Sequence, residues 1–346
     1  MTTDEKYMSQ CIALAQKGMG DVAPNPMVGC VIVHQNKIIG QGYHERYGEA
    51  HAEVNAIRSV EDSSLLNDST LYVSLEPCAH YGKTPPCSDL IIEKKIPRVV
   101  IGCIDSYAEV AGKGIQNMMM AGIDVRVGIL EKKALELNKR FFTFHAKKRP
   151  YITLKWAQTQ DGFIDVDRSQ NTQQDNWITS PTSKKLVHQW RSEEQAILIG
   201  TNTALNDNPQ LTVREVEGKN PLRIVIDLSL RLPGTLHVFD GSTPTWIVNG
   251  IRNESQPNLE YVKIDPEKEL IPQLLHLLYE HNILSLFVEG GATLLQAFLD
   301  ADLWDEAKVF TGEISFGNGL PAPIIEQPPF QALQFDSDRL NIYVNA

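Results

Sequence analysis

A histidine, two cysteines and a glutamate have the types and spacing of a catalytic zinc centre. His51 and Glu53 stand two positions apart, Cys78 follows Pro77, and Cys87 comes nine positions after Cys78. Two thiolates and one imidazole are common zinc ligands, and three protein ligands leave the fourth tetrahedral position for water. Zinc lowers the pKa of its bound water to about 7, and a carboxylate that is not a ligand, here Glu53, can then carry the proton.

The order His-x-Glu, then Pro-Cys and a second Cys, is typical of zinc deaminases that act on nucleobases. In these enzymes the activated water attacks an amidine-type carbon, and the glutamate delivers the proton to the ring nitrogen and the departing ammonia. A structural zinc is the alternative, and it would need a fourth protein ligand, for which His80 and His44 are the nearest candidates. Cys11, Cys30 and Cys103 lie in apolar contexts that are typical of core residues.

Hydrophobic periodicity predicts an N-terminal α/β domain that positions these residues at helix and strand ends. Thr2 and Glu5 have capping-box spacing. His51 begins one predicted helix, and Pro77-Cys78 is predicted to end a strand at the start of the next helix, where the dipole favours thiolate. The predicted helices cover 2–18, 50–60, 88–95 and 114–122, and the predicted strands cover 28–33, 38–44, 70–77, 98–105 and 123–130, the first two as a hairpin.

A charged, helical stretch over 131–148 ends in Lys-Lys-Arg-Pro, and a new strand begins at Tyr151. We therefore expect a domain boundary near 147–150, with one domain over 1–147 and a second α/β domain over 148–346. The elements predicted after the strand at Tyr151 are helices over 180–193, 266–282 and 293–302 and strands over 195–200, 223–227, 245–249, 285–291 and 305–312.

Length and composition agree with two globular domains and a small substrate. The chain has 346 residues, of which 42% are hydrophobic and 22% charged, and its formal net charge is -11. An acidic surface disfavours the phosphate backbone, so a nucleic-acid-editing deaminase, the alternative that would need a basic groove, is disfavoured. No apolar stretch reaches the length of a membrane helix, the start lacks a signal-peptide pattern, and five scattered cysteines do not form a disulfide framework. A cytoplasmic protein is expected.

The segment between the two cysteine ligands identifies a particular class of deaminase. Many zinc deaminases have Pro-Cys-x-x-Cys, whereas here Ala-His-Tyr-Gly-Lys-Thr-Pro-Pro separates Cys78 from Cys87. With Pro24-Asn25-Pro26-Met27-Val28-Gly29-Cys30 and Gly42-Tyr43-His44, this segment closely resembles the deaminase domain of the bifunctional riboflavin biosynthesis deaminase/reductases. The resemblance implies a cytidine-deaminase-like three-layer fold.

The resemblance also implies the substrate and its contacts. That substrate is 2,5-diamino-6-(5-phosphoribosylamino)pyrimidin-4(3H)-one, whose 2-amino group is hydrolysed to give 5-amino-6-(5-phosphoribosylamino)uracil. Donor groups on His80 and Lys83 suit a phosphate, and Asn25 can both donate to and accept from a heterocycle or ribose edge. One departure from the family follows the strand over 98–105, where Ser106-Tyr107 replaces Pro-Asn. The substrate-binding residues implied for this domain are Asn25, His44, His80, Lys83 and Asp105.

The second domain has no Gly-x-Gly-x-x-Gly after a strand, so a Rossmann nicotinamide site is not indicated. The segment 285–298 instead reads as a buried strand, two glycines and a helix, so that free backbone N–H groups can bind a phosphate. A tight turn without a ligand is the alternative interpretation of the two glycines. Trp156, Trp177 and Trp190 can likewise be core residues, and Leu211 can be merely buried.

The order of segments in the second domain resembles the reductase domain of the same family, so the resemblance spans nearly the whole chain. It implies a dihydrofolate-reductase-like α/β fold, NADPH-dependent reduction of the ribosyl group to a ribityl side chain, and a homodimer through this domain. A deaminase fused to a reductase-like domain without catalysis is the alternative. The implied cofactor-binding residues are Lys155, Thr159, Trp177, Thr203, Asp207, Gly291, Ala292, Thr293, Leu294, Leu295, Gln296 and Ala297; the implied substrate-binding residues are Asp175, Arg191, Leu211, Arg214 and Glu289.

Two positions of the second domain depart from the family pattern. Gln174-Asp175-Asn176-Trp177 replaces Gly-Glu-Ser-Gln-Trp, which places an acid where a substrate-binding serine is expected. Leu228 follows the strand over 223–227 where a small polar residue usually meets the cofactor. Both departures bear on how strongly this domain binds its ligands.

Overall fold

In the computed structural model, which describes residues 1–79, 85–105, 112–168 and 177–345, the chain divides into two units, residues 1–148 and 149–346. Each unit has its own sheet with helices on both faces. Among the described residues, no helix combines the length and the apolar composition that a membrane crossing requires.

The first unit is built on a sheet of five strands in the order β2-β1-β3-β4-β5. Strand β1 is antiparallel to β2 and β3, whereas β3, β4 and β5 are parallel, as the alternating sequence pattern predicts. The strands are β1 Gly29–His34, β2 Lys37–Tyr43, β3 Thr70–Leu75, β4 Arg98–Cys103 and β5 Asp124–Val127, and the helices are α1 Thr3–Ala15, α2 Ala52–Arg58, α3 Cys87–Glu93, α4 Lys113–Met120, α5 Glu131–Leu137 and α6 Lys139–Lys147.

Apolar side chains on both faces of this sheet give the unit three layers. Ile32, Val73 and Ile101 pack with residues of α2, α3 and α4 on one face. Val31 and Val100 pack with residues of α1 on the other face. Helix α1 begins with the predicted capping box, in which Thr2 Oγ1 accepts from the N–H of Glu5 and the Glu5 carboxylate accepts from the N–H of Thr2. The three predicted core cysteines are fully buried: Cys11, Cys30 and Cys103.

The position of helix α2 depends on a glycine in the neighbouring strand. A Cβ atom on Gly42 of β2 would lie 2.5 Å from the backbone nitrogen of Ala56 and 2.8 Å from the backbone oxygen of Ala52. Any side chain at this position would therefore push α2 away from the sheet. Because His51 and Glu53 lie at the start of α2, the glycine also fixes where these two residues stand.

The second unit is built on a sheet of ten strands in the order β11-β12-β10-β9-β8-β13-β6-β14-β17-β16, with a separate two-stranded sheet of β15 and β7. The strands from β12 to β14 in this order are parallel. The strands are β6 Tyr151–Gln158, β7 Phe163–Asp165, β8 Ala196–Gly200, β9 Leu222–Ile226, β10 Thr245–Asn249, β11 Glu254–Gln256, β12 Leu259–Lys263, β13 Ser285–Val288, β14 Glu306–Thr311, β15 Leu320–Pro321, β16 Gln331–Phe335 and β17 Asp338–Val344; the helices are α7 Pro181–Glu193, α8 Thr201–Asp207, α9 Leu270–Glu280 and α10 Ala292–Asp300.

Two apolar cores cover the two faces of the large sheet. Residues of α9 and α10 pack on one face, with Leu154 and Trp156 of β6. Residues of α7 and α8 pack on the other, with Trp190 stacked on Phe310 at a centroid distance of 5.6 Å. Two of the three tryptophans considered as core residues are thus buried, whereas Trp177 is 60% exposed. The carboxyl ends of the parallel strands meet at one edge, where ligands bind in open α/β sheets.

Several predicted boundaries were wrong. The stretch 131–148 is helical as predicted, but it forms two helices, because the backbone leaves the helical conformation at Asn138, whose side chain bonds both the N–H and the carbonyl of Met27. The helix predicted over 266–282 begins only at Leu270, since Asp265 caps a preceding turn by accepting from the N–H of Glu267. The short strands β7, β11 and β12 and the C-terminal strands β15 to β17 were not predicted.

Candidate active sites

Three metal-ligand side chains converge at one edge of the first sheet. His51 is the N-cap of α2, Cys78 lies in the loop after β3, and Cys87 is the first residue of α3. The Nδ1 atom of His51 lies 3.6 Å from Cys78 Sγ and 3.4 Å from Cys87 Sγ, and the three ligand atoms all lie within 4.8 Å of one another. Ligand bonds of about 2.0–2.3 Å at tetrahedral angles place a nitrogen and a sulfur about 3.6 Å apart, so these residues fit a zinc ion.

The position of Cys78 corrects one sequence prediction. The helix starts at Cys87 and not directly after Pro77-Cys78. Cys78 nevertheless faces the start of this helix, because its Sγ accepts a hydrogen bond of 3.3 Å from the N–H of Cys87. A hydrogen bond from the Cys87 thiol, together with His51, lowers the pKa of the Cys78 thiol well below its usual range, against the effect of burial. The loop thus presents a thiolate to the metal.

Glu53 lies beside the three ligands in the first turn of α2 and is 3% exposed. Burial, with the charge of Cys78, raises the pKa of its carboxyl to about 7, while the His51 charge and a hydrogen bond with Cys87 act in the opposite direction. A carboxyl group whose pKa lies near neutrality can both accept and release a proton. This environment suits the proton carrier that the sequence predicts.

His44 and Asn25 form one wall of this site. The His44 ring packs edge-on against His51 at 5.5 Å between centroids, and its Nδ1 lies 3.1 Å from the carbonyl of Ala50. Since a carbonyl only accepts, Nδ1 carries the proton, and Nε2 accepts from the Asn25 amide at 3.1 Å. Burial lowers the pKa of His44, in agreement with a neutral ring. Both ring nitrogens are used, so His44 does not serve as a fourth metal ligand.

Glu76 is a functional residue that the sequence reasoning missed. Its side chain is buried, and its two carboxylate oxygens accept hydrogen bonds from the N–H groups of Asp105 and Gly112 and of Gly114 and Ile115. Glu76 thereby joins the loop that carries Cys78 to the loop that follows β4, where Asp105 is buried. An acid at the end of a buried strand, directly before Pro77-Cys78, was the available signal. His80, Lys83 and the departure at Ser106-Tyr107 lie outside the described residues.

In the second unit, three predicted site residues form one cluster that is largely shielded from solvent. Glu289 follows β13, and its carboxylate binds Arg191 of α7 in a bidentate pair at 2.7 and 2.8 Å. Lys155 Nζ of β6 lies 3.9 Å from the same carboxylate. Although burial acts in the opposite direction, the charges of Arg191 and Lys155 lower the pKa of Glu289 to about 2. Two cations against one anion leave one net positive charge.

Arg214 and Leu211 lie on a segment that is anchored to the same cluster. Arg191 donates to the carbonyl of Thr212 at 3.3 Å, and Arg214 donates to Thr212 Oγ1 at 2.7 Å. The N–H of Arg214 donates to Nδ1 of His188, a buried residue that the sequence reasoning missed although it lies on α7 one turn before Arg191. Leu211 is 2% exposed, so its side chain belongs to the core. The exposed Arg214 guanidinium lies within reach of solvent and of a substrate.

The predicted glycine turn has the expected arrangement. Gly290 and Gly291 follow β13, and Gly291 is the N-cap of the nine-residue helix α10. A Cβ atom on Gly291 would lie 3.1 Å from Thr203 Oγ1, so Thr203 of α8 stands next to this turn. Leu295 is fully buried in the core, which leaves only its backbone to meet a ligand. Of the segment 291–297, the first turn is the part open to a cofactor.

The remaining predicted residues lie further from this cluster or already have partners. Thr159 is fully buried, donates to Asp161 and accepts from the N–H of Phe163, so it holds the turn between β6 and β7. Asp207 accepts from Arg168 at 3.0 Å, and burial raises the pKa of its carboxyl. The exposed Trp177 ring lies under Lys184 Nζ at 5.2 Å. Asp175 lies outside the described residues.

Two family models match the chain. Residues 150–342 match the model described as the RibD C-terminal domain, and residues 1–103 match the cytidine and deoxycytidylate deaminase zinc-binding region. The second unit, with the Glu289 cluster, therefore corresponds to one known domain, and the three metal-ligand residues fall within another. The second match agrees with a zinc ion at His51, Cys78 and Cys87.

Relatives and solved structures are similar over nearly the whole chain. The riboflavin biosynthesis protein RibD of Bacillus amyloliquefaciens is 40% identical over 96% of this chain and 90% of its own length. That of Escherichia coli strain K12 is 37% identical over 89% and 87%. A solved structure from Thermotoga maritima, a diaminohydroxyphosphoribosylaminopyrimidine deaminase/5-amino-6-(5-phosphoribosylamino)uracil reductase, is 37% identical, with a TM-score of 0.89 over 99% of both chains.

Proposed function

The chain belongs to the RibD family of riboflavin biosynthesis proteins, and from this premise we propose that it performs two consecutive reactions on one phosphoribosyl pyrimidine. The first removes the 2-amino group of 2,5-diamino-6-(5-phosphoribosylamino)pyrimidin-4(3H)-one as ammonia, in a deaminase domain over 1–147. The second uses NADPH to reduce the ribosyl group of the product to a ribityl side chain, in a reductase domain over 148–346. The observation that carries the proposal is the convergence of His51, Cys78 and Cys87 beside the buried Glu53.

In the deaminase site, His51, Cys78 and Cys87 would hold zinc, which lowers the pKa of a bound water to about 7. Glu53 would take one proton from the water and pass it to the ring nitrogen, and would then take the second proton from the added hydroxyl and pass it to the leaving amino group. Burial raises the pKa of this carboxyl above its ordinary value, which favours the protonated form that donates to the ring nitrogen and to the amine. The carbon that loses the amino group must lie within about 3 Å of the attacking oxygen.

We propose that Asn25 and His44 orient the heterocycle. The Asn25 amide nitrogen is engaged with His44, so its carbonyl oxygen is the group it can offer to an amino group of the pyrimidine. Because the neutral His44 ring is fixed by Ala50 and Asn25, this wall is rigid before the substrate enters. Asp105, held through its backbone by Glu76, would contact the same substrate, and His80 and Lys83 would bind its phosphate.

In the reductase site, we propose that Gly291 and the first turn of α10 bind the pyrophosphate of NADPH with backbone N–H groups. Thr203 beside this turn would contribute a hydroxyl. Arg214 would bind the substrate phosphate, because its guanidinium is exposed while that of Arg191 is paired with Glu289. Lys155, Arg191 and Glu289 would position the ribosyl group against the nicotinamide, and hydride transfer then depends mainly on proximity.

A second domain without catalysis, the alternative from the sequence, lacks support, since residues 150–342 match the reductase domain of the family. We further propose that the protein works in the cytoplasm, where the five free cysteines stay reduced. A homodimer through the second unit is also proposed. The edge strand β16 and the exposed Phe330 support it, because unpaired sheet edges and apolar surface favour association. Light scattering of the purified protein measures the oligomeric state.

The decisive experiment supplies the diaminopyrimidine phosphate to the purified protein and follows ammonia and NADPH together. One NADPH should be oxidised for each ammonia released, and ammonia release should continue when NADPH is left out. Ammonia without NADPH oxidation would show that the reductase assignment is wrong. Protein that contains zinc but releases no ammonia would overturn the deaminase assignment.

A further inference from the structure

The turn after β9 carries an exposed arginine, Arg231, whose backbone is held in place by hydrogen bonds. Asp227 is 1% exposed, and its carboxylate accepts from the N–H of Arg231 at 3.1 Å and from the N–H of Leu232 at 3.0 Å. The N–H of Asp227 donates to the carbonyl of Val248 in the next strand, and its carbonyl accepts from the N–H of Leu230. The backbone that bears Arg231 is therefore held by the buried acid and by the sheet.

The buried position of Asp227 has a consequence for cofactor choice. In dinucleotide sites, an acid near the end of a strand binds the adenosine ribose hydroxyl and so favours NAD, whereas an arginine accommodates a 2′-phosphate. Asp227 stands at a strand end, but both its oxygens bind backbone N–H groups of its own turn. The charge that this turn presents to solvent is instead the guanidinium of Arg231.

A second contact orients this guanidinium. The Nη2 atom of Arg231 donates to Asn202 Oδ1 at 2.7 Å, and Asn202 lies in the first turn of α8. Thr201, the residue before it, donates through Oγ1 to the carbonyl of Ile226 at 2.6 Å. The start of α8 and the end of β9 are thus joined, and Arg231 lies over the junction.

The junction lies beside the proposed pyrophosphate site. Strands β13, β8 and β9 are neighbours, and their carboxyl ends carry Gly291, the start of α8 and Arg231. Thr203 of α8 stands next to Gly291. Two strand spacings, about 10 Å, separate the ends of β13 and β9. The adenosine half of a dinucleotide whose pyrophosphate lies at Gly291 can reach across this distance.

We propose that Arg231 binds the adenosine 2′-phosphate of NADPH and thereby distinguishes NADPH from NADH, with Asn202 and Asp227 as positioning residues. The proposal rests on the NADPH-dependent reduction proposed above. A guanidinium presents paired N–H groups that match a phosphate, whereas NADH offers only a hydroxyl at the same position. The proposal also bears on Leu228, which stands where the family usually has a small polar residue. Its side chain is 41% exposed and cannot bind a phosphate. Arg231, three residues further on, would supply that contact instead.

The test compares NADPH and NADH in wild-type protein and in Arg231→Ala. Binding is measured by the fluorescence of the reduced nicotinamide and by competition with 2′,5′-ADP and with 5′-ADP, and turnover is measured with the deaminated pyrimidine. Loss of a charged hydrogen-bonding partner should weaken NADPH and 2′,5′-ADP binding about ten- to a hundred-fold. The affinities for NADH and 5′-ADP should stay the same, and the kinetic change should fall on KM for NADPH rather than on kcat.

Three further variants separate recognition from structure. Arg231→Lys keeps the charge and should retain part of the preference for NADPH, and Asn202→Ala should lose less than Arg231→Ala. Arg339→Ala is the matched control, because Arg339 is also exposed and bound to an asparagine, Asn341, but lies on β17, five strands from β9. It should change neither affinity.

Two outcomes would overturn the proposal while leaving the reductase assignment intact. In one, Arg231→Ala leaves NADPH affinity unchanged; in the other, it weakens NADPH and NADH equally, as a purely structural residue would. Wild-type protein that binds neither nucleotide would instead overturn the reductase assignment itself, and the role of Arg231 with it.

Discussion

The two candidate sites balance their buried charges in different ways. At the first site, His51 and two cysteines point their ligand atoms at one another, and the pKa of Cys78 is lowered, so the cluster is suited to a cation from solution. At the second site, the Glu289 carboxylate is compensated by Arg191 and Lys155 within the chain itself. The first site therefore depends on a metal, whereas the carboxylate of the second site is compensated by the chain itself, which leaves one positive charge before a ligand arrives.

This difference also explains why the two sites are unequally visible in the sequence. A metal needs particular ligand types at short separations, so His51, Cys78 and Cys87 carry a recognisable pattern. A charge cluster needs only that its members meet in space. Lys155, Arg191 and Glu289 come from three distant elements that the sheet brings together.

Removal of zinc should have the largest effect and should separate the two sites. A chelator should abolish ammonia release, because water at neutral pH is a poor nucleophile without the metal. Oxidation of NADPH with the deaminated pyrimidine should continue. Metal analysis should find about one zinc for each untreated chain, as three ligands and an open position imply.

Cysteine variants control the metal experiment. Cys87→Ser should lower the zinc content well below that of the wild type, whereas Cys103→Ser, which replaces a buried cysteine outside the ligand cluster, should keep it. Protein without metal that retained full deaminase activity would contradict a catalytic zinc.

Glu53→Gln should have the next largest effect, confined to the first reaction. The amide cannot carry the proton, and positioned general acid–base groups contribute about 10²–10⁴-fold to rate, so ammonia release should fall by at least that factor. Zinc content and NADPH oxidation should match the wild type. Glu45→Gln, which changes an exposed acid in the same domain, is the control. Loss of both activities in a folded Glu53→Gln protein would count against two independent sites.

The sequence predicted the metal ligands and most of the helices and strands around them, but not the hydrogen bonds that hold distant loops at the two sites. The hairpin of β1 and β2, the parallel strands β3 to β5 and the capping box of α1 follow from local patterns and are present. Glu76 and His188 were missed because their roles depend on backbone N–H groups of distant loops. No local pattern encodes such contacts.

Some residues taken from the family resemblance have a structural function in this chain. Thr159 holds a turn, which its local sequence does not indicate, and Leu211 is buried, which is the alternative that its apolar side chain allowed. Arg191 was expected to bind the substrate, but its pairing with Glu289 can be seen only once α7 packs on the sheet. Their contacts with ligands remain predictions.

Glu289→Gln should destabilise the second unit, because Arg191 and Lys155 would lose the carboxylate that compensates their charges. Removing one member of a buried ion pair leaves the others uncompensated, at a cost of about 3–5 kcal/mol in the free energy of unfolding. Urea unfolding followed by tryptophan fluorescence should show this loss. Glu280→Gln, which affects an exposed pair with His276, should change the same free energy by no more than about 1 kcal/mol. Equal stability of Glu289→Gln and wild type would show that Arg191 and Lys155 do not depend on the Glu289 carboxylate for compensation.

The smallest expected effect is a pH dependence of the second unit through His188. Burial, with the charges of Arg191 and Arg214, lowers the pKa of this buried ring to about 4, while Glu215 and Glu289 act in the opposite direction. An unfolded histidine has a pKa of about 6.5, so between these values the unfolded chain binds more protons. The free energy of unfolding should therefore fall as pH decreases from about 6.5 towards 4, by up to about 1.4 kcal/mol for each pH unit.

His188→Gln isolates this contribution, because glutamine can still accept from the N–H of Arg214 but does not titrate. The free energy of unfolding of this variant should depend less on pH than that of the wild type over the same range, so the wild type should lose stability relative to the variant as pH falls from about 6.5 towards 4. His44 of the first unit differs from His188, because both its ring nitrogens are hydrogen-bonded, to Ala50 and to Asn25, and because it lies beside a metal site. Identical pH profiles for wild type and His188→Gln would mean that the pKa of His188 is the same in the folded and the unfolded protein, which would contradict the lowered pKa.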